Sequence, residues 1–227
     1  FVSELTVNHK ADIGISFDGD ADRLIISDEK GEILDGDMIL AIIGSYMLDK
    51  KVLGENKIVS TQMCNLAFRE YMKNIGITLY LSKVGDRYVV EKMKETGAII
   101  GGEQSGHIIF SENGFSGDGL MTAIIIINLA KEKKISISKL CSNTFKKNPQ
   151  KLINLKTKID PQIILSHKEI KLLETSCLQD SPKTNILIRK SGTENLLRLM
   201  VQAKEKKIMD EIINKFLKLI KKIENDG

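Results

Sequence analysis

The sequence predicts a multi-domain α/β protein with mixed sheets and flanking helices, completed by a small C-terminal α+β domain. Two observations support this class. Short apolar strand patterns alternate with helical patterns through the middle of the chain, and a second set of strand and helix patterns follows the segment "KKNPQ" at residues 146–150. With 227 residues, 42% of them hydrophobic, the chain is long enough for more than one folding unit.

Residues 1–50 contain two strand patterns and one helix pattern. The stretches "ADIGISF" and "RLIISD" have strand patterns and are joined by an acidic loop. A helix pattern follows at residues 35–48. Asp35 and Asp37 stand at the turn before its apolar run, so we expect them to cap the helix rather than to bind a metal.

Strand and helix patterns alternate along residues 51–147. Two of these helices end at glycines, Gly76 and Gly97, as helices commonly do. Because short links join each strand to the next helix, we predict a largely parallel core sheet. The strand patterns are "KIVST", "TLYLSKV", "AIIGGE" and "SGHIIF", and the helix patterns are "LAFREYMKNIG", "RYVVEKMKETG" and residues 119–131.

The segment "KKNPQ" is the predicted linker, and residues 148–227 are expected to form a small α+β domain. They contain a strand pattern "KLINLKTK", a helix near "HKEIKLLETSCL", two strands around "RKSGTE" and a final amphipathic helix. The apolar face of that helix consists of Met209, Ile212, Ile213, Phe216, Ile220 and Ile223.

The composition excludes several classes of function. A net charge of +4 spread along the chain, with no Trp and 5% aromatic residues, does not suit a nucleic-acid-binding surface. The longest apolar run, at residues 120–130, is well short of the roughly 20 residues that a bilayer requires. The three cysteines form no C-x-x-C pair, so neither a zinc site nor a disulfide framework is indicated. We therefore expect a soluble, cytoplasmic protein.

The loop between the first two strands places Asp18, Asp20 and Asp22 at alternate positions, followed by Arg23. Two carboxylates about 4 Å apart repel by roughly 4 kcal/mol at an effective dielectric near 20 and by about 1 kcal/mol in water. Three acids that converge in a cleft would need a cation, whereas three on an open surface turn would not. Mg²⁺ takes oxygen ligands and commonly leaves a position for a phosphate oxygen, so we predict a phosphate-associated Mg²⁺ site.

The same stretch resembles the calcium loop of an EF-hand, in which acids stand at fixed positions around a central glycine. Together with the three aspartates, Glu29 fits that pattern, but Arg23 stands where the glycine should be. An EF-hand also requires a helix on each side, and this loop has strand patterns instead. We therefore favour Mg²⁺ over calcium.

Three further polar clusters are candidates for ligand binding. Lys83, Asp86 and Arg87 lie in "KVGDRYV" at a strand-to-helix junction, where anions bind readily, although Asp86 could simply cap the helix. The segment "GGEQSGH" carries Glu103, Gln104, Ser105 and His107 between glycines that let a ligand approach the backbone. Its side chains suit a polyhydroxy compound, although His107 could also be a structural histidine.

The fourth cluster, "RKSGTENLLR", spans residues 189–198. Its members with phosphate-binding chemistry are Arg189, Ser191, Gly192, Thr193 and Arg198. A guanidinium binds phosphate through two parallel hydrogen bonds, and backbone amides around a glycine add fixed partial charge. The alternative is a tight hairpin with an incidental arginine. We expect this segment, the aspartate loop and "GGEQSGH" to face one cleft.

Taken in order, these four stretches resemble the α-D-phosphohexomutase family, and most closely its phosphoglucosamine mutase branch. "FDGDADR" is similar to the family's metal loop, "GGEQSGH" to its sugar-recognition loop and "RKSGTENLLR" to its C-terminal phosphate-binding loop. The combination of "VGDRYV" with "GEQSGH" is typical of the glucosamine enzymes. Lys190 stands where the family commonly has proline.

The resemblance implies a Mg²⁺-dependent isomerase that interconverts glucosamine 6-phosphate and glucosamine 1-phosphate through a phosphoserine and a bisphosphate intermediate, on the route to UDP-N-acetylglucosamine. Carried onto this sequence, it implies that Mg²⁺ is bound by Asp18, Asp20 and Asp22 and that Arg23 contacts the phosphoserine. It implies that Glu103 and Ser105 contact the sugar beside a catalytic His107, and that Lys83, Asp86 and Arg87 transfer protons or contact phosphate. The residues implied to bind phosphate are Arg189, Ser191, Gly192, Thr193 and Arg198.

One departure from the family is serious. The phosphoserine of the family lies in an S-H-N-P-like motif of an N-terminal domain, and here the only Ser-His pair, Ser166–His167, is followed by Lys168. Family members are about twice this long and have four domains. We therefore expect a C-terminal portion that lacks turnover alone and needs the N-terminal half as a partner, in a protein whose oligomeric state is open.

Under the same resemblance, residues 1–50 are the remainder of the metal-loop domain, residues 51–147 the sugar-binding domain and residues 148–227 the phosphate-binding domain. Two alternatives stay open: a phosphomannomutase/phosphoglucomutase, and a non-catalytic module that binds phosphosugar and metal.

Overall fold

The computed structural model describes residues 1–191 and 196–226. They form two compact units, Phe1–Lys146 and Lys147–Gly227, and the boundary falls inside the segment predicted as a linker. The described residues contain three sheets, one of mixed strand direction and two antiparallel, with flanking helices. The predicted α/β class with mixed sheets is thereby confirmed. The division of the first unit at residue 50 stays a prediction.

The first unit begins with a helix that packs on a three-stranded antiparallel sheet. Its elements are α1 (Val2–Asn8), β1 (Ile13–Phe17), β2 (Leu24–Asp28) and β3 (Ile33–Leu34), with the strands in that order. Phe17 pairs with Leu24 at the end of the β1–β2 hairpin, so residues 18–23, the aspartate loop, connect the two strands. Sequence analysis did not predict α1, because its short run of mixed residues has no clear apolar period.

A second sheet, in the order β5-β4-β6-β7, occupies the rest of the first unit. Strand β4 runs parallel to β5 and β6, as predicted, and β7 is antiparallel to β6. Its elements and the surrounding helices are α2 (Gly36–Asp49), β4 (Lys57–Thr61), α3 (Leu66–Asn74), β5 (Thr78–Ser82), α4 (Asp86–Thr96), β6 (Ile100–Gly102), β7 (Ile108–Phe110), α5 (Gly119–Lys133) and α6 (Ile137–Ser142).

The helix α2 is central to the main core of the first unit. Every residue from Gly36 to Gly44 is buried, so the first half of this helix is enclosed on all sides rather than amphipathic. One cluster of buried side chains joins the antiparallel sheet through Leu24, α2 through Leu40, and the mixed sheet through Ile58. Both sheets are therefore held in fixed positions relative to the start of α2.

The second unit is a three-stranded antiparallel sheet covered by helices. Its elements are β8 (Gln150–Lys156), α7 (Pro161–Ser166), α8 (Lys168–Asp180), β9 (Thr184–Lys190), β10 (Leu196–Ala203) and α9 (Lys206–Asp226), with the strand order β8-β10-β9. The six apolar residues predicted for the last helix are all at most 6% exposed, because they pack on the sheet residues Leu197, Leu199 and Val201. The predicted small α+β unit is confirmed.

Candidate functional site

The three aspartates of the β1–β2 loop converge. Asp18, Asp20 and Asp22 each offer one carboxylate oxygen, and these oxygens lie within 4.8 Å of one another. Ala21 makes the turn between them with a φ of +58°, which is uncommon for a residue other than glycine. Its carbonyl accepts the Gly119 N–H at 3.1 Å, so the positive N-terminal end of the 15-residue helix α5 lies beside the acids.

The electrostatics of this loop suit a divalent cation. Burial raises the pKa of Asp22, His107 opposes that effect, and the negative charges of Asp20 and Asp18 raise the pKa further. Arg23 compensates in part, because its Nε lies 3.7 Å from Asp18 Oδ2 and 3.9 Å from Asp22 Oδ1. Three hard oxygen donors on a partly exposed turn fit Mg²⁺, which binds few protein oxygens and keeps other positions for water or phosphate.

The position of Glu29 excludes it as a ligand in a calcium loop with the three aspartates. The Glu29 carboxylate lies at the far end of β2, where it accepts the Ser138 hydroxyl at 2.5 Å and the Ser138 N–H at 3.1 Å. It therefore anchors the N-terminus of α6. Strands rather than helices flank the aspartate loop, and the EF-hand geometry is absent from this part of the described chain.

The segment "GGEQSGH", predicted to recognise sugar and called the sugar loop, is a tight turn at the end of β6. The Glu103 N–H donates to the His107 carbonyl, and the Gly106 N–H donates to the Glu103 carbonyl, both at 3.0 Å. The Leu24 N–H, in the first residue of β2, donates to the Gly106 carbonyl at 3.1 Å. Gly106 has a φ of +93°, and a Cβ there would lie 2.0 Å from the Leu24 carbonyl oxygen. This close approach brings the sugar loop against the aspartate loop.

His107 faces the aspartates rather than solvent. It is 4% exposed, and its Nδ1 lies 3.2 Å from Asp22 Oδ2, although the two groups are not aligned as a hydrogen bond. The backbone of Gly117 packs against the ring, since a Cβ at that position would lie 2.4 Å from the ring carbon Cε1. Ser105, in the same loop, is exposed.

The segment of Lys83, Asp86 and Arg87 reaches the sugar loop through its backbone. The Gly85 N–H donates to Glu103 Oε1 at 2.9 Å. Gly85 is the N-cap of α4, so Asp86 is the first helical residue and not the cap. Arg87 is exposed and pairs with Glu91 of its own helix, with Nε and Oε1 2.9 Å apart.

The expected capping role is correct for Asp35 and wrong for Asp37. Asp35 Oδ1 accepts the Met38 N–H at 3.2 Å and caps α2. Asp37 is completely buried, and its Oδ2 accepts the Asn65 N–H at 2.7 Å and the Gln104 Nε2 at 3.0 Å. Sequence reasoning missed this contact to the sugar loop. A carboxylate inside an otherwise apolar helix was the available signal.

In the second unit, strand register brings two predicted phosphate ligands together. Arg198 of β10 lies directly opposite Arg189 of β9, so both side chains are on the same face of the sheet. Asn154 of β8 lies opposite Arg198 on its other side and extends this row. Sequence reasoning missed Asn154, although the alternation of "KLINLKTK" places it away from the apolar face.

The loop between these strands is only partly described. Ser191 is 5% exposed, and its N–H donates to the Leu196 carbonyl at 2.8 Å. The predicted contributions of Gly192 and Thr193 lie outside the described residues. The roles assigned to all these side chains stay predictions.

Comparison with known proteins identifies relatives of both units. A family model described as phosphoglucomutase/phosphomannomutase, alpha/beta/alpha domain III, matches residues 35–148, and the C-terminal domain of the same family matches residues 180–219. A phosphoglucosamine mutase of Prochlorococcus marinus (strain MIT 9312) is 43% identical over 222 residues, which cover 95% of this chain and 49% of the relative. The chain thus spans about half the length of the curated relatives it matches.

Solved structures agree with the fold. A phosphoglucomutase/phosphomannomutase family protein from Burkholderia thailandensis has a TM-score of 0.77 at 23% identity, covering 97% of this chain and 49% of that one. An Aspergillus fumigatus N-acetylphosphoglucosamine mutase in complex with GlcNAc-6P and magnesium has a TM-score of 0.75 at 18% identity. The match covers 94% of this chain and 48% of that one. Within the described residues, no helix combines the length and the apolar character needed to span a membrane.

Proposed function

Because the chain belongs to the phosphoglucomutase/phosphomannomutase family, we propose that it carries the metal-, sugar- and phosphate-binding segments of a phosphoglucosamine mutase. This isomerase would interconvert glucosamine 6-phosphate and glucosamine 1-phosphate, on the route to UDP-N-acetylglucosamine. The observation that carries the proposal is the hydrogen bond from the Leu24 N–H to the Gly106 carbonyl, which sets the aspartate loop beside the sugar loop. The 43% identity to a phosphoglucosamine mutase supports the choice of sugar.

Asp18, Asp20 and Asp22 would hold Mg²⁺, a choice supported by their converging oxygens and by the magnesium in the Aspergillus relative's complex. Bound there, Mg²⁺ would neutralise charge on the phosphoryl group during its transfer. Arg23 would donate to the same group, since its guanidinium lies at the edge of the loop and is half exposed.

The remaining residues would orient the sugar phosphate. Glu103 and Ser105 would bind sugar hydroxyls from the turn at the end of β6, and His107 would keep Asp22 in place. Lys83, Asp86 and Arg87 would supply phosphate contact or proton transfer from the start of α4. In the second unit, the residues that would bind a phosphate group are Arg189, Ser191, Gly192, Thr193 and Arg198.

The nucleophile must come from outside these 227 residues, because the sequence has no S-H-N-P-like motif. In the proposed reaction a sugar hydroxyl attacks the phosphorus of a phosphoserine, and the bond from phosphorus to the serine oxygen breaks. The serine oxygen then attacks the other phosphate of the resulting bisphosphate, the bond from that phosphorus to its sugar oxygen breaks, and phosphoserine and a free sugar hydroxyl are left. We place the reaction in the cytoplasm, where the free thiols of Cys64, Cys141 and Cys177 would stay reduced.

The test is complementation. The purified chain is incubated with glucosamine 6-phosphate, Mg²⁺ and a sugar bisphosphate, with and without the N-terminal half of the Prochlorococcus relative. We expect no glucosamine 1-phosphate from the chain alone and steady formation with the added half, lost again in an Asp18→Asn, Asp20→Asn, Asp22→Asn triple variant. Turnover by the chain alone would refute the need for an external serine.

The missing serine motif also favours a second candidate, a non-catalytic module that binds phosphosugar and metal. Calorimetric titration separates the two. Binding of glucosamine 6-phosphate without turnover in any complementation mixture would favour the module. Tighter binding of mannose or glucose 6-phosphate would favour a phosphomannomutase/phosphoglucomutase instead.

A further inference from the structure

The start of helix α2 contacts the sugar loop through two consecutive residues. The Gly36 N–H donates to the Gln104 carbonyl at 3.0 Å, and Asp37 Oδ2 accepts from the Gln104 side-chain amide at the same distance. A Cβ on Gly36 would lie 1.9 Å from the Glu103 carbonyl oxygen, so the helix touches the loop backbone directly. Gln104 is therefore held by both its main chain and its side chain, between the two residues proposed to bind sugar.

A carboxylate at this position is costly without compensation, because Asp37 is completely buried. Compensation comes from two helix N-termini. Asp37 lies in the first turn of α2, and it accepts the N–H of Asn65, the N-cap residue of α3. The Asp37 carboxylate thus joins α2, α3 and the sugar loop at one oxygen.

We infer that Asp37 is a positioning residue for sugar recognition: it fixes Gln104, and through it sets the places of Glu103 and Ser105 in the turn of residues 103–107. The identity of the sugar ligand rests on the proposed function, whereas the role of Asp37 in holding the loop does not. Asp37 itself touches the loop and not the substrate. Helix capping, which the sequence suggests for this residue, is instead the role of Asp35.

The test compares Asp37→Asn with Gln104→Met, which removes the amide donor from the loop side and leaves α2 unchanged. Asp35→Asn is the matched control, because it makes the same chemical change at the helix cap. Four quantities are measured: hydrogen–deuterium exchange of residues 103–107, affinity for glucosamine 6-phosphate, affinity for Mg²⁺ and the midpoint of urea unfolding.

We expect Asp37→Asn and Gln104→Met each to accelerate exchange of the loop and to weaken sugar binding roughly tenfold, the scale of one hydrogen bond to a charged group. Their double variant should lose little more than either single variant, and Mg²⁺ affinity should change less than about twofold in each case. Asp35→Asn should leave loop exchange and sugar affinity as in the parent.

A purely structural role would lower the midpoint of unfolding without a selective change in loop exchange or sugar affinity, and that outcome would overturn the inference. If the parent chain does not bind glucosamine 6-phosphate, the proposed function fails. Loop exchange in the two variants still decides whether Asp37 positions the loop.

Discussion

The Glu103 carboxylate accepts the backbone N–H of Gly85 at 2.9 Å, which ties the proposed sugar loop to the first turn of α4. One oxygen of a residue proposed to bind sugar therefore also orients the segment that carries Lys83, Asp86 and Arg87. The two segments are separated by α4 and β6, and this contact places them along the same edge of the mixed sheet.

Gly85→Ala is expected to destabilise the first unit more than Gly97→Ala. Gly85 has φ +126° and ψ +138°, a region that is almost closed to side chains, whereas Gly97 is a left-handed helix cap at φ +72°. We expect costs of about 2–3 kcal/mol and about 1 kcal/mol in the free energy of unfolding. Urea unfolding of both variants measures this, and equal costs would contradict the strain assigned to Gly85.

Asp20→Asn is expected to have opposite effects with and without metal. Without a divalent ion it removes repulsion from Asp18 and Asp22, so stability should stay equal or rise by up to about 1 kcal/mol. We expect Mg²⁺ to raise the melting temperature of the parent and that rise to disappear largely in the variant. Thermal melts over a Mg²⁺ titration measure both effects, with Asp12→Asn as an exposed control. A Mg²⁺ response as large as the parent's would exclude the site.

Gly117→Ala is expected to displace His107, because the new Cβ would lie 2.4 Å from the ring. We expect a loss of about 1–3 kcal/mol in the free energy of unfolding. Replacing His107 by alanine should relieve the clash, so the double variant should be more stable than the sum of the two changes predicts. Additive losses in urea unfolding would show that the ring does not occupy this position.

Ser138→Ala is expected to lower the free energy of unfolding more at neutral pH than in acid. Although burial alone would raise the pKa of Glu29, hydrogen bonds from the Ser138 hydroxyl, from backbone N–H groups and from Ser136 lower it from 4.5 to about 2. A depressed folded-state pKa means that this stabilisation is present above about pH 4.5 and is lost as the pH falls towards 2.

The Ser138→Ala variant removes one of those donors, so we expect a deficit of about 1.5–3 kcal/mol at pH 7. The deficit should shrink as the pH falls from 5 towards 2. Urea unfolding at a series of pH values measures it, and Ser142→Ala, in the same helix, is the control. A deficit independent of pH would mean that the Glu29 charge is not what Ser138 stabilises.

Arg189→Ala is expected to weaken phosphosugar binding by about 1.5–3 kcal/mol, the scale for a hydrogen bond to a charged group. Arg189 lies opposite Arg198 on one face of the sheet, where a phosphate could accept from both guanidinium groups. Lys190→Ala is the control, because Lys190 is the next residue of β9 and therefore lies on the opposite face of the sheet from Arg189. Its Nζ pairs with Asp160 Oδ1 at 3.1 Å. Equal dissociation constants by calorimetry for the parent and Arg189→Ala would remove Arg189 from the site.

Much of the fold was predictable because its signals are local. Period-two strands, helices that end at glycines and the apolar stripe from Met209 to Ile223 each depend on neighbours within a few turns of chain. Helices α1, α6 and α7 were not predicted, since none of them is long enough to show a clear period. The N-terminus of α6 is anchored by Glu29, 109 residues before Ser138.

The sequence alone determined that three carboxylates alternate in a turn between two strands and that glycines surround Glu103 and Ser105. It could not determine which loops meet. Whether Asp37 caps its own helix or holds Gln104, 67 residues away, depends on how α2 packs between two sheets. A buried carboxylate takes the hydrogen-bond donors that packing brings to it, and only the tertiary structure specifies those donors.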